Sequence, residues 1–204
     1  MNSYTSLPAK ERSDMKEKLT VKQISIIGLM AALVFVSSKL EIRIPSILGV
    51  TRFHLGNGMC ILSGLLMGAL PGGLAAGLGS FFFDLVFWGG NPAGWCVTFA
   101  TKFLMGYFSG LFYHRGTFSH LSRTANIAIC GAIGEFAYIV GYLLKEFITY
   151  RIVMGNPMSA VFAMLVQKGL TSLVNAVIAV IVAEVLFRVL VPILRKSGLS
   201  YEQA

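Results

Sequence analysis

The sequence contains few charged residues and none of the common motifs of a soluble enzyme. Only 13% of its 204 residues are charged and 55% are hydrophobic, which is outside the range of ordinary soluble domains. It has no Gly-x-x-x-x-Gly-Lys-Ser/Thr phosphate loop, no His-Glu-x-x-His and no Gly-x-Ser-x-Gly. The cysteines lie singly in different apolar segments, without the paired spacings of metal sites or disulfide frameworks: Cys60, Cys96 and Cys130. We therefore expect no catalysis, no metal site and no cofactor.

Six apolar segments follow one another along the chain. They cover residues 21–39, 55–70, 74–88, 93–113, 125–148 and 158–191. A helix needs about 20 residues to cross a bilayer of about 30 Å, so the second and third segments must be tilted, partly immersed or shielded by neighbours. The pattern predicts an all-α polytopic membrane protein with six transmembrane helices. A polar segment, 1–20, and a tail, 196–204, would flank the membrane domain, 21–195.

Arginine and lysine residues predict the orientation of this domain. An even number of spans places both termini on one side, which collects Lys10, Arg12, Lys16, Lys18, Lys22, Arg115, Arg123, Arg188, Arg195 and Lys196. The other side holds only Lys39, Arg43, Arg52, Lys145 and Arg151. Because positive charge concentrates on the cytoplasmic side, both termini should be cytoplasmic. The net charge of +8 then reflects topology, and we expect no nucleic-acid partner.

Small residues recur at every fourth position through the second and third segments. They are Gly64, Gly68, Gly72, Ala76 and Ser80. Such residues let helix backbones approach closely in lipid. The stripe therefore indicates either internal helix packing or a surface that slides against another protein. Pro71, with Gly72 and Gly73, predicts a tight turn between the two segments.

Polar and aromatic residues of the last three segments recur at helical spacing, so each set lies along one face of its helix. The sets are Trp95, Thr98 and Lys102; Glu135, Tyr138, Tyr142 and Lys145; and Lys168, Thr171 and Asn175. Aromatic walls with a few placed polar groups are typical of a small-molecule site. Three converging faces therefore predict a binding cavity that opens outward.

Structural explanations of the same residues stay open. The role of Glu135 could be limited to neutralising Lys102 or Lys168 in a buried ion pair that fixes the helices, although such pairs are often weakly stabilising. Trp95 could instead anchor its helix at the membrane interface. Glu184 is expected to pair with Arg188, one helical turn further on.

Four short motifs and one acidic residue are distinctive. They are Arg52-Phe-His-Leu-Gly-Asn57, Leu62-Ser-Gly-Leu-Leu-Met-Gly68, Gly73-Leu-Ala-Ala-Gly-Leu-Gly-Ser80, Lys102-Phe-Leu-Met-Gly106, and Asp84. In these motifs, its length and its six-segment plan, the chain resembles the substrate-binding (S) components of energy-coupling factor (ECF) vitamin transporters. The similarity is closest to the branch associated with pyridoxine, hydroxymethylpyrimidine and riboflavin uptake. That branch commonly has an aspartate where this chain has Asn57.

The resemblance implies a high-affinity subunit that captures a small vitamin or vitamin precursor outside the plasma membrane of a bacterium. It implies three partners, a transmembrane coupling subunit and two ATPase subunits, which would hydrolyse ATP and deliver the solute inward. In the family a small-residue motif on the first span docks the coupling subunit. The matching residues here are Gly28, Ala31 and Ala32. The resemblance also favours a role in holding the first outer loop or the solute for Arg52, His54 and Asn57.

Two questions stay open at this point. A stand-alone proton-coupled secondary transporter of a small polar solute would use Asp84, Glu135 or Glu184 as a proton relay, although no inverted repeat is evident. The chemistry of the solute is also open. Cationic groups that would suit a carboxylate or phosphate are Lys102, Lys145 and Lys168. Rings that would stack on a heteroaromatic solute are Trp95, Tyr138 and Tyr142.

Overall fold

The computed structural model describes residues 21–46, 49–87 and 92–196, and the side chains of these residues except 42–46, 49–53 and 195. The predicted segment 1–20 and the tail beyond residue 196 lie outside these ranges. In chain order the elements are α1 (Val21–Lys39), β1 (Glu41–Ser46), β2 (Gly49–His54), α2 (Gly56–Met67), α3 (Ala69–Phe87), α4 (Pro92–His114), α5 (Arg123–Phe147), a π-helical turn (Ile148–Val153) and α6 (Met158–Lys196).

The predicted helical membrane architecture is confirmed. Four of the described helices are long and apolar enough to cross a membrane, namely α1, α3, α5 with its π turn, and α6. Large apolar side chains are exposed on their outer faces, as with Phe136 (69%) and Leu170 (61%). In water such faces would be costly, whereas in a bilayer they meet acyl chains. The number of crossings and the side on which the termini lie stay predictions.

The first loop forms a two-stranded hairpin. Strands β1 and β2 pair antiparallel, with Glu41 opposite His54 and Ser46 opposite Gly49. The sequence analysis did not predict these strands, because Pro45 lacks an amide donor and lowers the expectation of pairing, although polar and apolar residues alternate from Glu41 to Ile44. The hairpin brings Glu41 and His54 back beside the start of α2.

Helix α2 forms the centre of the bundle. It has only 12 residues, about 18 Å of helix, too short to cross a bilayer alone. Yet Cys60, Ile61, Leu62 and Ser63 are fully buried. Contacts with α1, α3, α4 and α6 keep it away from lipid, so the expected shielding by neighbours explains this short segment.

The break between α2 and α3 lies earlier than the sequence predicted. Gly68 has a φ of +88°, a left-handed conformation that favours glycine, and its N–H bonds to the Gly64 carbonyl at 2.8 Å. Pro71 is instead inside the first turn of α3, where the missing amide proton costs nothing. The prediction of a turn at Pro71–Gly73 and of a short third segment was therefore wrong, and α3 has 19 residues.

The glycines of the stripe are packed inside the bundle, where α2, α3 and α4 meet. A Cβ atom placed on Gly72 would lie 2.5 Å from the Gly64 Cα, and one on Gly110 would lie 2.6 Å from the Gly64 oxygen. One on Gly106 would lie 2.8 Å from the Gly72 oxygen. All three neighbours are backbone atoms, which cannot rotate away. This geometry supports internal packing as the role of the stripe.

Replacement of Gly110 by alanine should therefore destabilise the protein by about 1–3 kcal/mol, despite the gain of about 1 kcal/mol that alanine usually brings to a helix. Gly94, on the same helix, has no atom within 4 Å of an added Cβ, so Gly94→Ala is the matched control and should be neutral or stabilising. Thermal unfolding in detergent measures both. Equal melting temperatures for the two variants would contradict the tight packing.

Candidate binding cavity

A cavity of about 390 Å³ lies at one end of the bundle. Its lining comes from the carboxyl-terminal halves of α1, α3 and α5 and from the amino-terminal halves of α2, α4 and α6, together with the hairpin. The lining residues of the first part of the chain are Ser38, Glu41, His54, Asn57, Ser80, Phe83, Asp84, Val97, Thr98, Thr101 and Lys102. Those of the last two helices are Tyr138, Tyr142, Lys145, Glu146, Gln167, Lys168, Thr171, Ser172 and Asn175. Consecutive helices that alternate in direction bring these ends together.

Two stacked tyrosines form the aromatic wall. The rings of Tyr138 and Tyr142 lie 5.8 Å apart and only 15° from parallel, because the residues are one helical turn apart on α5. The ammonium group of Lys102 lies 3.9 Å from the centre of the Tyr138 ring. Those of Lys145 and Lys168 lie 5.7 Å and 5.9 Å from the Tyr142 ring. Each end of the wall therefore has a cation beside it.

At the Tyr138 end, Asn57 connects Lys102 with Glu135. Lys102 is 5% exposed and donates a hydrogen bond to the Asn57 Oδ1. The Asn57 Nδ2 donates in turn to Glu135 Oε2 at 3.3 Å. Glu135 is 1% exposed, and its Oε1 has no hydrogen-bond partner among the described residues. Asn57 thus bridges the Glu135 carboxylate and the Lys102 ammonium group, which do not contact each other directly. We call this arrangement the relay through Asn57.

At the Tyr142 end, Glu146 holds two lysines at once. Its Oε2 accepts a hydrogen bond from the Lys168 Nζ at 2.5 Å, and its Oε1 accepts one from the Lys145 Nζ at 3.0 Å. The carboxylate side chain is only 6% exposed, whereas the lysine side chains are 27% and 38% exposed. Glu146 therefore lies beneath the two lysines, whose more exposed side chains face the cavity.

Ten of the predicted solute-binding residues line this cavity: His54, Asn57, Thr98, Lys102, Tyr138, Tyr142, Lys145, Lys168, Thr171 and Asn175. Glu135 lies behind the aromatic wall, where it accepts a hydrogen bond from Asn57. Trp95 is not part of the lining and packs edge-on against Phe81, with ring centres 6.4 Å apart. The Arg52 side chain lies outside the described residues. That these residues bind a solute stays a prediction.

Sequence reasoning missed other lining residues, most of all Glu146. The signal was present, since Glu146 follows Tyr142 by one helical turn and Ser172 follows Lys168 by the same spacing. Pairing with a lysine of another helix depends on how the helices are rotated, which helical spacing does not reveal. The predicted pair of Glu184 and Arg188 is confirmed at 2.6 Å, and it lies on α6 away from the cavity lining.

Apolar helices around an aromatic and polar cavity define a multi-pass membrane protein that can hold a small polar molecule. The profile of the family described as ECF-type riboflavin transporter, S component, matches residues 18–192. The chain therefore belongs to the S components of ECF transporters, which are vitamin-binding membrane subunits rather than enzymes. Comparison with curated proteins gave no match.

The relay through Asn57 predicts a compensating pair of substitutions. Glu135→Gln should lower the melting temperature in detergent, because Lys102 then keeps its buried charge without the carboxylate that offsets it; removing one partner of a buried pair costs about 3–5 kcal/mol. Asn57→Asp alone should also destabilise, because it places two carboxylates side by side. The double variant moves one carboxylate next to Lys102 and should recover most of the loss. A double variant no more stable than Glu135→Gln would refute the relay.

Proposed function

We propose that this chain captures a small vitamin or vitamin precursor from outside the cell in the cavity and delivers it inward together with an ATP-driven ECF module. The observation that carries the proposal is the cavity itself. Its volume of about 390 Å³ lies within the range of about 300–1,000 Å³ that small-molecule sites occupy. Stacked tyrosines offer a surface for a flat ring, and the lysine, amide and hydroxyl groups around them offer hydrogen bonds.

The proposed topology accounts for the position of the cavity. Six crossings with both termini in the cytoplasm, in a bacterial plasma membrane, would place the hairpin and the connection between α5 and α6 outside. Residues at the cavity end include Glu41 of the hairpin and Glu146 near the end of α5. A cavity at this end would open to the outside, where a scavenged solute is met.

Partners would supply the energy, because the sequence has no phosphate loop of its own. The proposed partners are a transmembrane coupling subunit and two ATPases. Helix α1 offers the docking surface. Gly28 and Ala32, one turn apart, are exposed, whereas Ala31 is 8% exposed and packs inward beside Gly79 of α3. We therefore assign direct docking to Gly28 and Ala32, and to Ala31 a supporting position behind them.

A stand-alone proton-coupled transporter remains the second candidate. The observation in its favour is the buried Oε1 of Glu135, which has no hydrogen-bond partner among the described residues. Uptake assays separate the two candidates. Proteoliposomes that contain only this chain should bind the solute without accumulating it, even when a proton gradient is imposed, and accumulation by the chain alone would favour the second candidate.

Binding is tested first with the purified chain in mild detergent, without ATP. Native mass spectrometry should reveal a co-purified or added B-vitamin, and titration calorimetry should give a Kd below about 1 μM. Tyr142→Ala should weaken binding by about tenfold, since an aromatic pair contributes about 0.5–1.5 kcal/mol beyond its buried area. Phe136→Ala, on the exposed face of the same helix, should have no effect. Equal affinities for these two variants would mean that the solute binds elsewhere.

Docking is tested separately on α1. An added Cβ at Gly28 has no atom within 4 Å, so Gly28→Leu should leave folding and vitamin binding intact while it blocks close approach of a partner helix. Co-purification with co-expressed coupling and ATPase subunits should fall strongly. Ala163→Leu, at an exposed position on α6, is the matched control. A Gly28→Leu variant that assembles as well as this control would place the docking surface elsewhere.

A further inference from the structure

The charges that line the cavity are balanced among the side chains that the structure describes. Three lysines, Lys102, Lys145 and Lys168, stand with three carboxylates, Glu41, Asp84 and Glu146. Beneath the lining, Glu135 adds a further carboxylate behind Asn57. The lysines alone would favour an anionic solute, but a solute entering this cavity meets the lysines together with an equal number of lining carboxylates.

Glu146 holds the central position in this balance. Each of its two oxygens accepts a hydrogen bond from a different lysine, so the lysines are fixed on either side of one carboxylate. Both ammonium groups lie within 6 Å of the Tyr142 ring, and Lys168 lies 5.1 Å from the ring of Tyr150. An anion bound by these lysines would therefore sit close to Glu146 as well, in a partly buried place where water screens repulsion weakly.

We propose that Glu146 sets the charge selectivity of the cavity, so that the site accepts a neutral or zwitterionic aromatic solute and rejects its phosphorylated form. The inference rests on the proposed function and goes further by naming the residue that excludes anions. Lys145 and Lys168 act as hydrogen-bond donors to neutral acceptor atoms. The two lysines do not form an anion-binding site, because Glu146 already neutralises one of their two positive charges.

The balance can be shifted in both directions by single substitutions. Glu146→Gln leaves two adjacent lysines without their carboxylate and raises the local charge by one. Lys145→Gln lowers the local charge by one and keeps the ion pair between Glu146 and Lys168. The double variant returns to the original local charge. Glu184→Gln is the matched control, because it removes a carboxylate from an ion pair with Arg188 that is not part of the cavity lining.

The probes are matched solutes that differ only by a phosphate group: riboflavin with riboflavin 5′-phosphate, and pyridoxine with pyridoxine 5′-phosphate. Calorimetry on the full chain in detergent gives the ratio of the two affinities within each pair. We expect the wild type and Glu184→Gln to prefer the unphosphorylated member. Glu146→Gln should shift the ratio towards the phosphate by at least about tenfold, Lys145→Gln should shift it the other way, and the double variant should restore it.

The outcomes separate this inference from the proposed function. Binding of neither pair, nor of any other B-vitamin, by the wild type would overturn both. If the wild type binds but Glu146→Gln and Glu184→Gln have the same affinity ratio, the role of Glu146 in selectivity is overturned and the proposed function is not. Should Glu146→Gln fail to fold, the double variant is compared with Lys145→Gln, because these two differ only at Glu146. A ratio shifted towards the phosphate in the double variant supports the inference, and equal ratios overturn it.

Discussion

The close approach of α2, α3 and α4 at their glycines is the constraint on which the cavity depends. Backbone meets backbone where Gly64, Gly72 and Gly106 lie together, and no side chain separates the helices there. Lys102 precedes Gly106 by one helical turn, and Asn57 precedes Gly64 by about two turns. The contact between α2 and α4 therefore brings Lys102 within hydrogen-bonding reach of Asn57. A wider spacing would separate them and leave a buried ammonium group without an acceptor.

The lysines of the cavity are stabilised as members of networks, and each network uses a different arrangement. Lys102 is buried and reaches Glu135 only through an amide, so that a charge and its counter-charge are separated by one hydrogen-bonding group. Lys145 and Lys168 are partly exposed and contact Glu146 directly. The first arrangement fixes the helices deep in the bundle, where desolvation is severe. The second leaves the ammonium groups accessible at the cavity surface.

Helical periodicity predicted most of the residues that α4, α5 and α6 contribute to the cavity lining, but it could not assign partners between helices. Tyr138 and Tyr142 stack because one helical turn separates them, a spacing that can be read from the sequence. The partners of Glu135 and Lys168 depend on how α2, α5 and α6 are rotated relative to one another, and packing decides that rotation. Trp95 shows the same limit, since a register shared with Lys102 did not bring its ring into the cavity lining. The turn at Gly68 was missed because Pro71 is a strong helix breaker in most positions but is tolerated in a first turn.

Pairing with a carboxylate and binding a solute do not exclude one another for these lysines. A lysine ammonium has three hydrogen-bond donors, and the contact of Lys168 with Glu146 uses one of them. The remaining donors can point into the cavity while the ion pair holds the side chain in one rotamer, which reduces the conformational entropy lost when a solute binds. When the proposed solute leaves, Lys145 and Lys168 each still contact Glu146, so neither ammonium group is left without a hydrogen-bond acceptor. The capture and release proposed for this chain would benefit from this arrangement, because both lysines keep a hydrogen-bond acceptor in either state.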